Sequence, residues 1–142
     1  EFKETLRLNV RTQKKDDNIE KAITKSIVGF LNTDGGNLLI GVKDNGEILG
    51  IDSELKQFNW STDKFLLHLV NLITTKIGEN HVQFINKELI SINDKTVLLV
   101  SCSAASSPVF REGTDFFVRS NPATIKLEGT KMIDYISSRF EK

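Results

Sequence analysis

The sequence from Gly29 to Gly50, GFLNTDGGNLLIGVKDNGEILG, decides the fold. It follows an apolar face at helical spacing that stops at the NTDGG segment, 32–36, which predicts the end of a helix. That face consists of Ile19, Ala22, Ile23, Ser26, Ile27 and Phe30. The two glycines permit positive φ and a close return to the sheet. The apolar run Leu38 to Val42 predicts a strand covered on both faces, and Asp44-Asn45-Gly46 predicts a type I′ hairpin turn.

Downstream, a second amphipathic helix is predicted with Ser61 as its N-cap and an end near Gly78. The later predicted elements are an extended segment from His81 to Ile92, a turn at Asn93-Asp94, strands at Thr96 to Cys102, Phe116 to Arg119 and Ile125 to Leu127, and a last helix from Met132 to Phe140. Because helices and strands interleave while several strands are hairpin-linked, the pattern predicts an α/β (α+β) fold. Its sheet should be mixed, mostly antiparallel, and flanked by about three helices.

Composition indicates one ordinary globular domain of 142 residues with 39% hydrophobic content. Nineteen basic residues balance nineteen acidic ones, so no overall field draws the chain to nucleic acid or to an anionic membrane. The single Cys102 excludes an internal disulfide and reads as buried filler. No run approaches the ~20 apolar residues of a membrane span, and the cytoplasm is the expected location. Since the chain begins at a Glu without a Met, it is expected to be a piece of a longer protein.

Glu1, Lys3 and Asp44 are the candidate catalytic residues. Glu1 and Lys3 are two positions apart, so an extended backbone points both side chains to one face, while Asp44 ends the central strand. Two carboxylates and a lysine suit metal-dependent phosphodiester hydrolysis, with Mg²⁺ or Mn²⁺ on Glu1 and Asp44. The same acid-to-lysine spacing recurs at Glu54 and Lys56, where solvated surface charges are expected.

Positive charge concentrates before the first helix, and this segment is the candidate nucleic-acid contact because phosphate contacts supply most of the affinity. The residues concerned are Lys3, Arg7, Arg11, Lys14 and Lys15, with Arg111 and Arg119 as later additions. The alternative is a solvated, mobile loop whose field is diluted by Asp16, Asp17 and Glu20. For Arg119, an ion pair to an acidic neighbour is an equal alternative.

Several enzyme classes lack their motifs. There is no GxxxxGK[ST] loop, so an ATPase is rejected, and no GxSxG serine-hydrolase elbow. One cysteine and two separated histidines, His68 and His81, make no zinc set.

Taken together, EFK at Glu1, the NTDGG segment, IGVKDNGEILG from Ile40 and FFVRS from Phe116 resemble the Schlafen-type Alba-like domain over almost the whole chain. That resemblance implies a nucleic-acid-binding module, often attached to other domains in bacterial regulators or defence proteins. Animal Schlafen relatives include ribonucleases, and Glu1 and Asp44 match two carboxylates of their three-carboxylate centre. The third, just upstream, has no counterpart here, and Glu4 falls on the opposite face.

The sequence therefore predicts a single Schlafen-type Alba-like domain over 1–142 that binds DNA or RNA in the cytoplasm and has no membrane partner. One alternative is a metal-dependent ribonuclease using Glu1, Lys3 and Asp44. Another is a protein-interaction module that forms a homo-oligomer.

Overall fold

The computed structural model describes residues 1–141. The strands are β1 (Phe2–Lys3), β2 (Leu8–Asn9), β3 (Lys14–Lys15), β4 (Gly36–Ile40), β5 (Ile85–Ile92), β6 (Lys95–Cys102), β7 (Phe116–Ser120) and β8 (Ala123–Leu127). The α-helices are α1 (Asp17–Leu31), α2 (Asp52–Leu55), α3 (Thr62–Lys76) and α4 (Gly129–Phe140), and 3₁₀ turns span Lys56–Phe58 and Glu79–Phe84. This is the mixed α/β architecture that the sequence predicts.

The main sheet has four strands in the order β1-β4-β6-β5. β1 runs parallel to β4, with Lys3 opposite Ile40, and the other neighbours are antiparallel. β5 and β6 form the predicted hairpin around Asn93 and Asp94, whose φ angles of 51° and 64° are those of a type I′ turn. The remaining strands form two separate hairpins, β2–β3 and β7–β8.

Helix α1 supports both the sheet and the β7–β8 hairpin. Asp16 caps its first turn, and its apolar face is buried against the main sheet, as the spacing predicts. The glycine pair after it is confirmed as a steric requirement. Gly35 has a φ of +80°, and a Cβ there would lie 2.4 Å from the Cys102 carbonyl oxygen; a Cβ on Gly36 would lie 2.4 Å from the Phe30 ring. The chain therefore enters β4 only with glycine at both positions.

The core lies between one face of the main sheet and helices α1 and α3. Its fully buried members include Ile23, Ile27, Leu31, Leu38, Ile40, Phe65, Leu69, Ile73, Leu98 and Val100. Helix α3 begins at the predicted N-cap, where the Ser61 hydroxyl accepts from the Lys64 N–H at 3.1 Å. Within residues 1–141, no helix combines the length and the apolar character needed to cross a bilayer.

Three local predictions were wrong. The central strand ends at Ile40 and is buried on one face, since Leu39 is half-exposed. In the turn that follows, Gly46 (φ 91°) has positive φ but Asn45 does not, so it is not type I′. It is instead a three-residue loop closed by a hydrogen bond from the Lys43 N–H to the Glu47 carbonyl. The extended segment predicted from His81 starts as a 3₁₀ turn and becomes a strand only at Ile85, where pairing with β6 begins.

Candidate functional site

A cleft of about 540 Å³ opens between β1, the middle of α1 and the tip of the β7–β8 hairpin. It brings together four of the residues singled out in the sequence, Glu1, Lys3, Asp44 and Arg119. The parallel pairing of β1 with β4 explains the juxtaposition. The Lys3 carbonyl accepts from the N–H groups of Gly41 (2.7 Å) and Val42 (3.1 Å), which fixes β1 beside the turn that carries Asp44.

The Glu1 carboxylate is the most heavily bonded group in this cleft. It accepts a 2.6 Å hydrogen bond from the Ser26 hydroxyl and pairs with the Lys3 ammonium at 3.2 Å and with the Arg119 guanidinium. Burial alone would raise the pKa of Glu1, but the Ser26 hydrogen bond and the two cations lower it below the ordinary value. Glu1 is therefore held as an ionised acceptor with its oxygens already engaged.

Arg119 is positioned by the NTDGG segment and by β8. Its backbone N–H donates to the Thr33 hydroxyl at 2.8 Å, and its guanidinium lies 5.0 Å from the Phe30 ring centroid. Thr124 accepts from the same guanidinium at 3.0 Å, and it reaches α1 because residue 29 is glycine: a Cβ there would lie 2.8 Å from the Thr124 methyl carbon. The Arg119 side chain is only 10% exposed. Of the two alternatives left open by the sequence, the structure contains the ion pair.

The donor set of the cleft does not fit a divalent cation. Asp44 is exposed at the rim, whereas both Glu1 oxygens are bonded to cationic or hydroxyl donors. Mg²⁺ and Mn²⁺ need several oxygens with free lone pairs in one place. Among residues 1–141, no group of three or more His, Cys, Asp or Glu side chains could hold a metal ion. The assignment of Glu1 and Asp44 as metal ligands is therefore not supported by the arrangement of the described side chains.

A second cleft, of about 410 Å³, continues from the first. The two share Phe2, Lys3, Ala22 and Asp44 in their walls. The second extends to the β2–β3 hairpin and the start of α1, where its lining residues include Leu8, Asn9, Val10, Asp16, Asn18 and Ile19. The two clefts thus form one groove, which we call the β1 groove, between the two small hairpins.

The basic segment is an ordered hairpin rather than a free loop. Lys14 and Lys15 form β3 and are exposed, and Arg11 is exposed in the connecting loop. The Asn9 side chain braces that loop by accepting from the Arg11 N–H at 3.0 Å and from the Thr12 N–H at 3.2 Å. These three exposed cations therefore belong to a defined hairpin, whose Leu8, Asn9 and Val10 line one end of the β1 groove.

Arg7 does not belong to that exposed surface. It is half-buried, with its guanidinium 4.2 Å from the Phe58 ring centroid. Arg111 is likewise structural: it donates to the Lys21 carbonyl at 3.1 Å and to Asp115 at 2.9 Å. Both arginines pack their planar guanidinium groups against the protein, as is common for this side chain.

Glu54, expected to be a solvated charge, is only 1% exposed, and that expectation was wrong. Its carboxylate accepts from the backbone N–H groups of Leu6 (2.7 Å), Arg7 (2.8 Å) and Leu8 (3.0 Å). Burial raises the pKa of Glu54, against the three N–H donors and the Arg7 charge, which lower it. Glu54 thereby fixes the segment that joins β1 to the β2–β3 hairpin.

Sequence reasoning missed Lys25 and misread Ser26. Both line the first cleft, and Ser26, assigned to the apolar face of α1, instead holds Glu1 through its hydroxyl. The available signal was the series Ala22, Ser26, Gly29, which places small residues on one helix face where β1 and the β7–β8 hairpin approach. Lys25 carries no such signal, because a lone lysine on a helix is ordinarily solvated.

Comparison with known proteins identifies the family. The model of the Schlafen, AlbA_2 family matches residues 1–128. Among solved structures, the DIP2311 protein of Corynebacterium diphtheriae superposes with a TM-score of 0.68 at 18% identity, over 98% of this chain and 27% of that chain. The N-terminal domain of a RecG-related protein from Nitrosomonas europaea gives a TM-score of 0.47 at 20% identity, over 78% of this chain and 72% of that one. The chain thus spans about a quarter of the DIP2311 protein. No curated protein matches it significantly.

Proposed function

The chain belongs to the Schlafen, AlbA_2 family, and we propose that it is a DNA- or RNA-binding module whose nucleic-acid site is the β1 groove. We further propose that it works in the cytoplasm as part of a longer bacterial regulatory or defence protein. The observation that carries the proposal is the continuity of the groove, which links the basic β2–β3 hairpin to the cleft holding Lys3, Lys25 and Arg119.

The charge distribution supports local rather than global attraction. The formal net charge is zero, so affinity has to come from direct phosphate contacts. The exposed cations available for them are Arg11, Lys14 and Lys15 on the hairpin, and Lys3 and Lys25 line the cleft. Such contacts position a nucleic acid without reading its sequence.

Binding is tested by titrating labelled single-stranded DNA, single-stranded RNA and duplex DNA between 50 and 200 mM salt, the range in which phosphate contacts are sensitive. Arg11→Ala and Lys14→Ala should each weaken binding to all sequences and reduce the salt slope by about 1. The matched control is Lys87→Ala, since Lys87 lies on β5 at the opposite edge of the main sheet from β1. Equal slopes for the hairpin variants and the control would refute the proposed interface.

A metal-dependent ribonuclease is the second candidate, because Asp44 lies exposed in the walls of both clefts, although Glu1, its other predicted ligand, is engaged by Ser26, Lys3 and Arg119. Asp44→Asn preserves the shape of the side chain and removes its charge. If the groove cleaves RNA, this variant should lose cleavage in Mg²⁺ or Mn²⁺ and keep its RNA affinity. Cleavage that is equal in both proteins, or undetectable in either, argues for simple binding. If the protein also fails to bind nucleic acid, the remaining alternative is a protein-interaction module that forms a homo-oligomer. Sedimentation would detect that oligomer.

A further inference from the structure

Two cations and a hydroxyl converge on one point of the β1 groove. Lys3 Nζ lies 3.2 Å from Glu1 Oε2, Ser26 Oγ lies 2.6 Å from the same oxygen, and Arg119 Nη1 donates to Glu1 Oε1. The three donors come from β1, α1 and β7, which are elements distant in sequence. A convergence of this kind makes a site for one oxyanion, and the oxyanion present is the protein's own carboxylate.

Carboxylates and phosphates are recognised by the same donors. Arginine offers a planar fork to either, and lysine adds a compact positive charge. Hydroxyl groups and backbone-positioned side chains complete many phosphate contacts. The Glu1 carboxylate therefore occupies the place that a nucleic-acid phosphate would take.

The surroundings allow an exchange of one anion for the other. The cleft at this point has a volume of about 540 Å³, within the range of sites that admit a nucleotide-sized group. Lys25 lies in its wall, and Glu1 directly precedes the two-residue edge strand β1. The carboxylate can rotate away without disturbing the buried side of the sheet.

We propose that Lys3, Ser26 and Arg119 form a phosphate subsite of the β1 groove, and that the Glu1 carboxylate fills it until a phosphate displaces it. This inference rests on the proposed nucleic-acid function for its natural ligand, a phosphodiester or terminal phosphate. Glu1 then acts as an internal competitor that lowers affinity for weak ligands. The neutral overall charge adds no long-range attraction that would overcome it.

The competing explanation is that Glu1 only ties β1 to the β7–β8 hairpin. Under that explanation, removing its charge weakens the fold and exposes no useful site. Under the proposal, Glu1→Gln makes Lys3 and Arg119 available to a phosphate, because the amide carries no negative charge and keeps only one of the two acceptor oxygens.

The subsite is probed first with inorganic phosphate, which requires no nucleic-acid binding. Thermal unfolding is followed in increasing phosphate, with chloride at matched ionic strength, for the unaltered chain, Glu1→Gln and Glu4→Gln. Glu4 is exposed in the wall of the adjoining cleft, so its variant controls for the loss of one negative charge. Phosphate should stabilise Glu1→Gln at about tenfold lower concentration than the other two, which is the effect of one charge-assisted hydrogen bond made available to the ligand. Equal responses of all three proteins would overturn the proposal.

Glu1→Asp provides a second variant if Glu1→Gln does not fold. It keeps the charge but shortens the reach of the carboxylate by one methylene, so it should give an intermediate phosphate response. An Asp variant indistinguishable from the unaltered chain would also contradict the competition.

The natural ligand is then tested with labelled single-stranded oligonucleotides. Glu1→Gln should bind about tenfold more tightly, and the gain should vanish when Arg119→Ala is added, because the freed guanidinium is its source. A gain that survives Arg119→Ala assigns the effect to general charge and refutes the subsite. If no variant binds nucleic acid while phosphate still stabilises Glu1→Gln, the proposed function fails and the subsite stands.

Discussion

Glu54→Gln tests whether a buried carboxylate holds the segment on which the β1 groove is built. Oε2 of Glu54 accepts from two backbone N–H groups, those of Arg7 and Leu8, and Oε1 accepts from that of Leu6. In the glutamine variant one oxygen becomes an NH₂ donor, which leaves one N–H group (that of Leu6) or two (those of Arg7 and Leu8) without an acceptor, depending on how the amide is oriented. At about 1–3 kcal/mol for each unsatisfied donor, the loss is ~1–6 kcal/mol. The variant no longer has to bury a charge, which offsets part of this loss. We therefore expect a decrease in the free energy of unfolding near the middle of that range, at ~3–4 kcal/mol.

A loss of that size is a large share of the ~5–15 kcal/mol by which domains are stable, and it corresponds to a melting temperature lower by about 10–15 °C. Urea and thermal unfolding would measure it, with Glu88→Gln as the control because Glu88 is exposed on β5. A Glu54→Gln protein within 1 kcal/mol of Glu88→Gln, a margin about that of one ordinary hydrogen bond, would refute the anchoring role.

Three further outcomes are expected. Gly35→Ala should lower the free energy of unfolding by about 2–5 kcal/mol, and Gly113→Ala by only about 1–2 kcal/mol. Both glycines have positive φ, but only Gly35 also faces a backbone carbonyl. Equal losses of the two variants in urea unfolding would refute the steric argument. Asn32→Asp should lower the free energy of unfolding by about 3–5 kcal/mol, because Asn32 is fully buried and its amide donates to two carbonyls. The control, Asn71→Asp on the exposed face of α3, should be nearly neutral in the same assay. The lowered pKa of Glu1 means that its stability contribution is present above pH 4.5 and is lost as the pH falls through its folded pKa. The melting-temperature difference between the unaltered chain and Glu1→Gln should therefore shrink in acid, and a constant difference would contradict this.

The parts of the fold that the sequence predicted are those fixed by local steric rules. The glycine pair after α1 and the Asn93-Asp94 turn each need backbone conformations that few residue types adopt. The residue types at these positions therefore suffice to predict the turns. The Ser61 cap and the spacing of apolar residues in α1 and α3 are equally local. Such features require no knowledge of distant contacts.

The features that the sequence could not predict depend on residues distant in the chain. Glu54 looked like a surface charge because its three donors lie 46–48 positions away. The partner of Arg119 is 118 positions away, so its role stayed open between phosphate contact and ion pair. Residue type and spacing placed Glu1 and Asp44 near each other, but they gave no information on which acceptors were already occupied.

The slope of the salt dependence of binding reports how many cations of the β1 groove and of the β2–β3 hairpin contact phosphates. With the Glu1 carboxylate in place, four cations remain for phosphate contacts, namely Lys25, Arg11, Lys14 and Lys15, because Lys3 and Arg119 are paired with Glu1. At about 0.7 released counterions per contact on a single strand, the logarithm of the binding constant should fall with the logarithm of salt at a slope of about −2.8. Glu1→Gln adds the Lys3 and Arg119 contacts and should steepen the slope to about −4.2, whereas Glu4→Gln should leave the contact count unchanged. A slope shallower than about −1 for the unaltered chain would mean that the hairpin and the cleft do not contact one strand together, and the continuous β1 groove would lose its role as the binding site.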